Sequence, residues 1–168
     1  MPIHRLNHAV LYVREVERSV AFYRDVLGFR VIDEASGSTG AAFLRASEST
    51  NDHDLGLFQI GAQAGPSGAG RTTVGLYHLA WEVDTLDDLD ELAAKLTAAG
   101  ALVGASDHGT TKSLYGKDPD GIEFEIVWIV PAAALDDEAR TAARRPLDLA
   151  REKSRYGATT PGGVGISR

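Results

Sequence analysis

Glu125 stands inside Ile122-Glu-Phe-Glu-Ile-Val-Trp128, an apolar run with the look of a strand. A carboxylate there costs stability unless a cation, a proton or a hydrogen-bond donor answers it. In a strand, Ile122, Phe124, Ile126 and Trp128 share one face, and Glu123, Glu125 and Val127 the other. Two histidines occupy runs of the same kind. Alternation puts Leu6, His8, Val10 and Tyr12 on one row and Asn7, Ala9, Leu11 and Val13 on the other. In Tyr77-His78-Leu-Ala-Trp-Glu-Val83, the bulky row Leu79, Trp81 and Val83 is expected to meet a helix. That leaves His78 on the opposite face with Ala80 and Glu82. Phe124, Ile126 and Trp128 claim the helix side of their own strand, so Glu125 faces the same hollow. Each residue alone has a plain alternative, a solvated edge acid or a satisfied core histidine. Together, two imidazoles and one carboxylate on one side of an ion leave about three positions open. That set suits non-haem Fe(II), while Zn, Ni, Mn and Co also accept it.

The elements that must position these residues repeat. Residues 3–14 alternate as a strand, and residues 16–27 switch to helical spacing with Val16, Val20, Tyr23 and Leu27 on one stripe. Gly28 closes the helix. Strand patterns follow at 29–34, 41–46 and 53–60, with a Gly/Ser turn at 36–40. Residues 61–75 hold five Gly and one Pro and read as a linker. Then the order restarts. A strand at 76–83 precedes a helix at 86–99, with Leu86, Leu89, Leu92, Leu96 and Ala99 inward and Gly100 at its end. Strands at 102–105, 113–116 and 122–130 follow, and Asp118-Pro119-Asp120-Gly121 is a turn by composition. His8 falls on His78 and Val13 on Val83 at a shift of 70, and Gly28 lands near Gly100. This duplication predicts an α+β fold of two paired βαβββ modules, about 4–60 and about 76–130, forming a cupped mixed sheet. It assigns residues 1–131 to one domain and 132–168 to a helical or irregular tail. In that tail, 133–144 and 147–153 are expected as short helices with Pro146 in the first turn of the second. The Gly-Gly end is expected to be mobile.

Composition narrows the function. With 168 residues, 43% of them hydrophobic, the chain is long enough to bury a core. There is no cysteine, so any metal is held by His, Asp, Glu or carbonyl oxygen. A net charge of −7 argues against nucleic acid. No apolar run is long enough for a membrane span, and the first residues lack a signal-peptide layout; the expectation is a cytoplasmic protein. The tail and exposed sheet edges suit a homo-oligomer, a dimer being the simplest.

With these residues assembled, the chain resembles the vicinal oxygen chelate superfamily. The likeness covers residues 4–130 and rests on the paired modules, Leu6-Asn-His8-Ala-Val-Leu-Tyr-Val, Arg18-Ser-Val-Ala-Phe-Tyr-Arg-Asp-Val-Leu-Gly-Phe29, Tyr77-His78-Leu-Ala-Trp and Asp118-Pro-Asp-Gly. Members include glyoxalases, epimerases, fosfomycin-modifying transferases, bleomycin-binding proteins and extradiol dioxygenases. Three further residues resemble the extradiol signature: His53 at the head of His-Asp-Leu-Gly-Leu, His108 seven residues before Tyr115, and Tyr115 ten before Glu125. The resemblance implies an Fe(II)-dependent ring-cleaving dioxygenase that acts on an aromatic diol with O2. It implies that His8, His78 and Glu125 hold the metal. It gives His53 a catechol proton to take and return, Tyr115 a hydrogen bond to a substrate oxygen, and His108 a supporting place. Departures are Ser106 two before His108, a longer loop between His53 and His78, and the lack of the second pair of units found in larger members. A glyoxalase-like lyase or isomerase is the enzyme alternative, with Gln59 as fourth ligand. A ligand-sequestering protein is the non-enzyme alternative.

Overall fold

The computed structural model describes every residue except Met1, His4, residues 36–39, Arg71 and residues 164–168, and gives only the backbone of residues 33–35. The expected turn at 36–40, apart from Gly40, and the last five tail residues thus lie outside the described residues. The chain divides into two compact units, residues 1–67 and 68–168.

The first unit runs β1 (Ala9–Val13), α1 (Val16–Asp25), β2 (Arg30–Ala35), β3 (Ala41–Arg45), β4 (Leu55–Gln59), with sheet order β1-β4-β3-β2. β1 lies parallel to β4 and the other pairs are antiparallel. α1 starts after Glu15, whose side chain makes no cap. Gln59 supplies the missing acceptor: its Oε1 takes the Val16 N–H at 3.1 Å. Leu11, Val13, Val20, Tyr23, Leu44 and Leu57 form the core beneath the helix.

The second unit repeats this plan. β5 (Leu79–Glu82), α2 (Leu86–Ala98), β6 (Leu102–Asp107), β7 (Thr111–Lys117) and β8 (Glu123–Ile129) give sheet order β5-β8-β7-β6, with β5 parallel to β8. A capping box of Thr85 and Asp88 starts α2. Gly28 and Gly100, at φ 76° and 64°, end the two helices. Leu86, Leu89 and Leu96 pack on Leu114, Phe124, Ile126 and Trp128; Leu92 is half-buried and Ala99 is exposed, the helix ending before it. The two sheets and four α-helices of the described residues make the chain a mixed α+β protein with a duplicated unit. Among the described residues no helix is long and apolar enough to cross a membrane.

The tail departs most from expectation. A short 3-10 turn (Ala132–Ala134) and α3 (Asp137–Thr141) replace the helix expected at 133–144. Pro146 does not open a helix. It belongs to β9 (Arg145–Pro146), which pairs with Ser106 and Asp107 at the outer edge of β6. Asp148 then caps α4 (Leu149–Tyr156), which packs against α2. Gly162 and Gly163 are hydrogen-bonded to Asp84 O and Ile129 O, so this stretch is anchored to the unit rather than loose.

β6 and β7 run beyond their expected limits because their ends close on a buried charge cluster. Lys112, Asp107 and Glu152 are each fully buried. Lys112 Nζ lies 2.5 Å from Asp107 Oδ1 and 3.0 Å from Glu152 Oε2, and it donates to Gly109 O at 3.0 Å. Arg145 Nε and Arg151 complete the shell around Asp107 at 2.7 and 3.0 Å. Burial alone would raise the Asp107 pKa; Lys112, the Gly109 N–H and Arg145 outweigh it and hold the carboxyl at about 2.

Candidate metal centre

In the first unit, β1 turns Leu11 and Val13 inward and leaves Val10 and Tyr12 exposed on the other face; it begins at Ala9, later than expected, so the exposed His8 immediately precedes it. His53 lies in the loop before β4, its ring centroid 4.5 Å from that of His8 and 5.0 Å from that of Phe43. Asp54 organises this loop. Its buried carboxylate accepts the Ala46 N–H at 2.9 Å, the Ser49 hydroxyl at 2.9 Å and the Asn51 amide at 2.7 Å. The Asn51 amide also donates to Asn7 O at 2.9 Å, which ties the loop of His53 to the residue before His8. His8 Nδ1 lies 2.8 Å from Asn7 Oδ1. An amide oxygen only accepts, so Nδ1 is the donor here, which leaves Nε2 as the ring nitrogen for a metal.

In the second unit, Phe124, Ile126 and Trp128 are buried on the helix side and Glu125 faces away from them. His78 Nε2 stands 3.0 Å from Glu125 Oε2, with side chains 25% and 14% exposed. Two ligand atoms at about 2.1 Å from one ion, at right angles, stand about 3.0 Å apart. The contact is a His–Glu hydrogen bond, and the same two atoms also have the separation of neighbouring ligands. The other ring nitrogen, Nδ1, is buried without a hydrogen-bond partner. Tyr115 lies directly opposite Glu125 across β7 and β8, and its ring passes over Gly104. Its hydroxyl is 2.9 Å from His108 Nε2. Burial first, and then the Glu125 charge, push the Tyr115 pKa up, so at neutral pH the residue is a phenol with a proton to donate.

The expected residues thus fall into two groups. His8 and His53 are together in the first unit, and His78, Glu125, Tyr115 and His108 in the second. Among the described residues of either unit, no group of three or more His, Asp or Glu side chains gathers around one point. Gln59 has its Oε1 engaged by the Val16 N–H, which takes it away from the fourth-ligand place of the lyase alternative. One residue in each unit with a bearing on its candidate side chains escaped the sequence reading. Asp54 was hidden beside His53 in a polar loop. Arg144 donates to Ser106 Oγ at 3.1 Å from 38 residues away, beyond any local pattern.

A family model described as the Glyoxalase/Bleomycin resistance protein/Dioxygenase superfamily matches residues 5–126. A catechol-2,3-dioxygenase of Bacillus subtilis (strain 168) is 32% identical over 124 residues, which cover 72% of this chain and 40% of that protein. A biphenyl-2,3-diol 1,2-dioxygenase 3 of Rhodococcus globerulus is 37% identical over 128 residues, 73% of this chain and 62% of that protein. The chain thus spans less than two thirds of the length of either relative. A lactoylglutathione lyase of Neisseria meningitidis (strain DSM 15465 / Z2491) is 29% identical over 138 residues, 73% of this chain and 89% of that protein. A solved glyoxylase/bleomycin resistance protein/dioxygenase domain from Frankia sp. EAN1pec has a TM-score of 0.59 at 24% identity, covering 75% of this chain and 92% of that one.

Proposed function

Because the chain belongs to the Glyoxalase/Bleomycin resistance protein/Dioxygenase superfamily, we propose that it is an Fe(II)-dependent extradiol dioxygenase, which opens the ring of a catechol-type diol with O2. His8, His78 and Glu125 would hold the ion. When bound, the ion would make the diol more acidic and offer dioxygen a place beside it. His53 takes one diol proton and later returns one, a role suited to imidazole. Tyr115, kept as a phenol, donates its hydrogen to a diol oxygen. For that, His108 donates its Nε2–H to the Tyr115 hydroxyl oxygen and so fixes the direction of the phenol proton. Phe43, 5.0 Å from the His53 ring, and Val10 and Tyr12 on the exposed face of β1 would give the diol ring apolar company.

The observation that carries this reading is the hydrogen-bonded Tyr115–His108 pair directly beside Glu125. A lyase or isomerase of the same fold does not need it. The lactoylglutathione lyase likeness supports the second reading, a metal-dependent lyase, and that reading requires a fourth ligand which Gln59 is poorly placed to supply. The test is oxygen uptake over a broad diol panel after anaerobic Fe(II) loading, with a yellow ring-opened product expected. No uptake across the panel would remove the dioxygenase reading and leave the family assignment intact.

A further inference from the structure

The tail brings a cation to the sheet face that holds Glu125 and Tyr115. β6 and β7 place Ser106 opposite Ser113, two residues from Tyr115 on the same face. Ser106 is buried, and its Oγ accepts Arg144 Nε at 3.1 Å. Arg144 itself is exposed. Three other tail arginines are engaged by carboxylates: Arg145 by Asp107, Arg151 by Asp107 and Glu152, Arg155 by Asp136 and Glu138; Arg140, on α3, has among the described residues no serine or strand neighbour that ties it to this face. Among the described residues no carboxylate lies within ion-pair distance of Arg144. Its position is nevertheless fixed. The next residue, Arg145, is in β9 and bonded to the buried Asp107. Gly109, at φ 79°, packs so tightly under α3 that a Cβ there would run into Ala139 O.

A guanidinium with its Nε on a serine keeps both terminal amino groups for a planar, two-oxygen partner. Ser106 is two strand spacings and one pleat repeat from Glu125, about 12 Å across the sheet. A diol ring with a short acidic substituent spans that gap once the Arg144 side chain has covered its share. In a chain of net charge −7 an anion gains little from long-range attraction and needs a dedicated local cation.

We propose that Arg144 is a specificity-determining residue that binds the carboxylate of an acid-bearing aromatic diol, so that the site prefers anionic diols to neutral ones. The proposal rests on the diol reading of the site. Its test compares catechol with 3,4-dihydroxybenzoate and 3-(2,3-dihydroxyphenyl)propanoate on the Fe(II)-loaded chain. Binding is measured by calorimetry without oxygen, and turnover by oxygen uptake. The unaltered chain is expected to bind at least one acid-bearing diol about tenfold or more tightly than catechol. Arg144→Gln is expected to cut that ratio about 10- to 100-fold, through KM rather than kcat; Arg144→Lys restores part of it and Arg144→Glu reverses it. An unaltered chain without preference for acid-bearing diols, or an equal loss for acidic and neutral diols in Arg144→Gln, overturns the proposal. If the acid preference in binding is present and lost with Arg144 while no diol is turned over, ring cleavage fails and the anion site stands.

Discussion

Asp107→Asn is the sharpest test of the charge cluster that joins the tail to β6 and β7. The native carboxylate has no exposed surface and accepts from Gly109 N–H, Lys112, Arg145 and Arg151. Its carboxyl is held at about 2 against an ordinary 3.8, which stabilises the fold by about 2 kcal/mol at neutral pH. The sign follows from the lowered pKa: the contribution is complete above the unfolded value and disappears as pH falls through about 2. About half is gone by pH 3. The asparagine never has this contribution, and its NH2 must face Lys112 or an arginine, donor against donor. It also leaves the buried Lys112 one anion short, so the total loss at pH 7 is about 3–5 kcal/mol. Urea unfolding followed by tryptophan fluorescence measures it, since Trp128 is buried and 5.5 Å from the Tyr156 ring of α4. The gap between native and variant is expected to narrow by about 1 kcal/mol between pH 7 and pH 3. A gap below about 1 kcal/mol at pH 7, or one unchanged at pH 3, refutes the reasoning.

Glu125→Gln and His78→Ala are each expected to weaken iron binding by more than about tenfold, read by elemental analysis after anaerobic loading; full iron content in either variant removes that residue from the ligand set. Gln59→Ala is expected to keep its metal but lose about 1 kcal/mol of stability in urea, because the Val16 N–H at the start of α1 loses its acceptor. Loss of metal there would favour the lyase reading instead. Gly109→Ala combines a positive φ with a collision at Ala139 O, and is expected to cost about 2 kcal/mol or more in urea; a neutral outcome would mean that α3 is not packed there.

The duplication was legible because strand alternation and helical spacing recur at a fixed shift, with glycines where each helix must turn out. His78 and Glu125 were legible for a negative reason. Leu79, Trp81, Phe124, Ile126 and Trp128 take the helix side, and only the opposite face remains for the polar residues. The extent of β7 was misread because a lysine seldom goes inside a protein. Lys112 does so only because Glu152, 40 residues later, and Asp107 answer its charge. Pro146 fits a helix start and an edge strand equally well by its fixed φ and missing N–H. What decides is the free edge of β6, which no local pattern reveals. Gln59 went unnoticed as a helix cap because it acts from 43 residues away and glutamine is not a usual capping residue.

β9 is two residues long and ends the second sheet, with Pro146 in its outermost rung. A proline offers no N–H to an incoming chain, and Arg145 beside it is already bound to Asp107. Over these two rungs the rim is therefore a poor template for strand addition. Deleting residues beyond 144 would uncover the hydrogen-bonding groups of Ser106 and Asp107 at the edge of β6 and is expected to make the chain more prone to fibrous association.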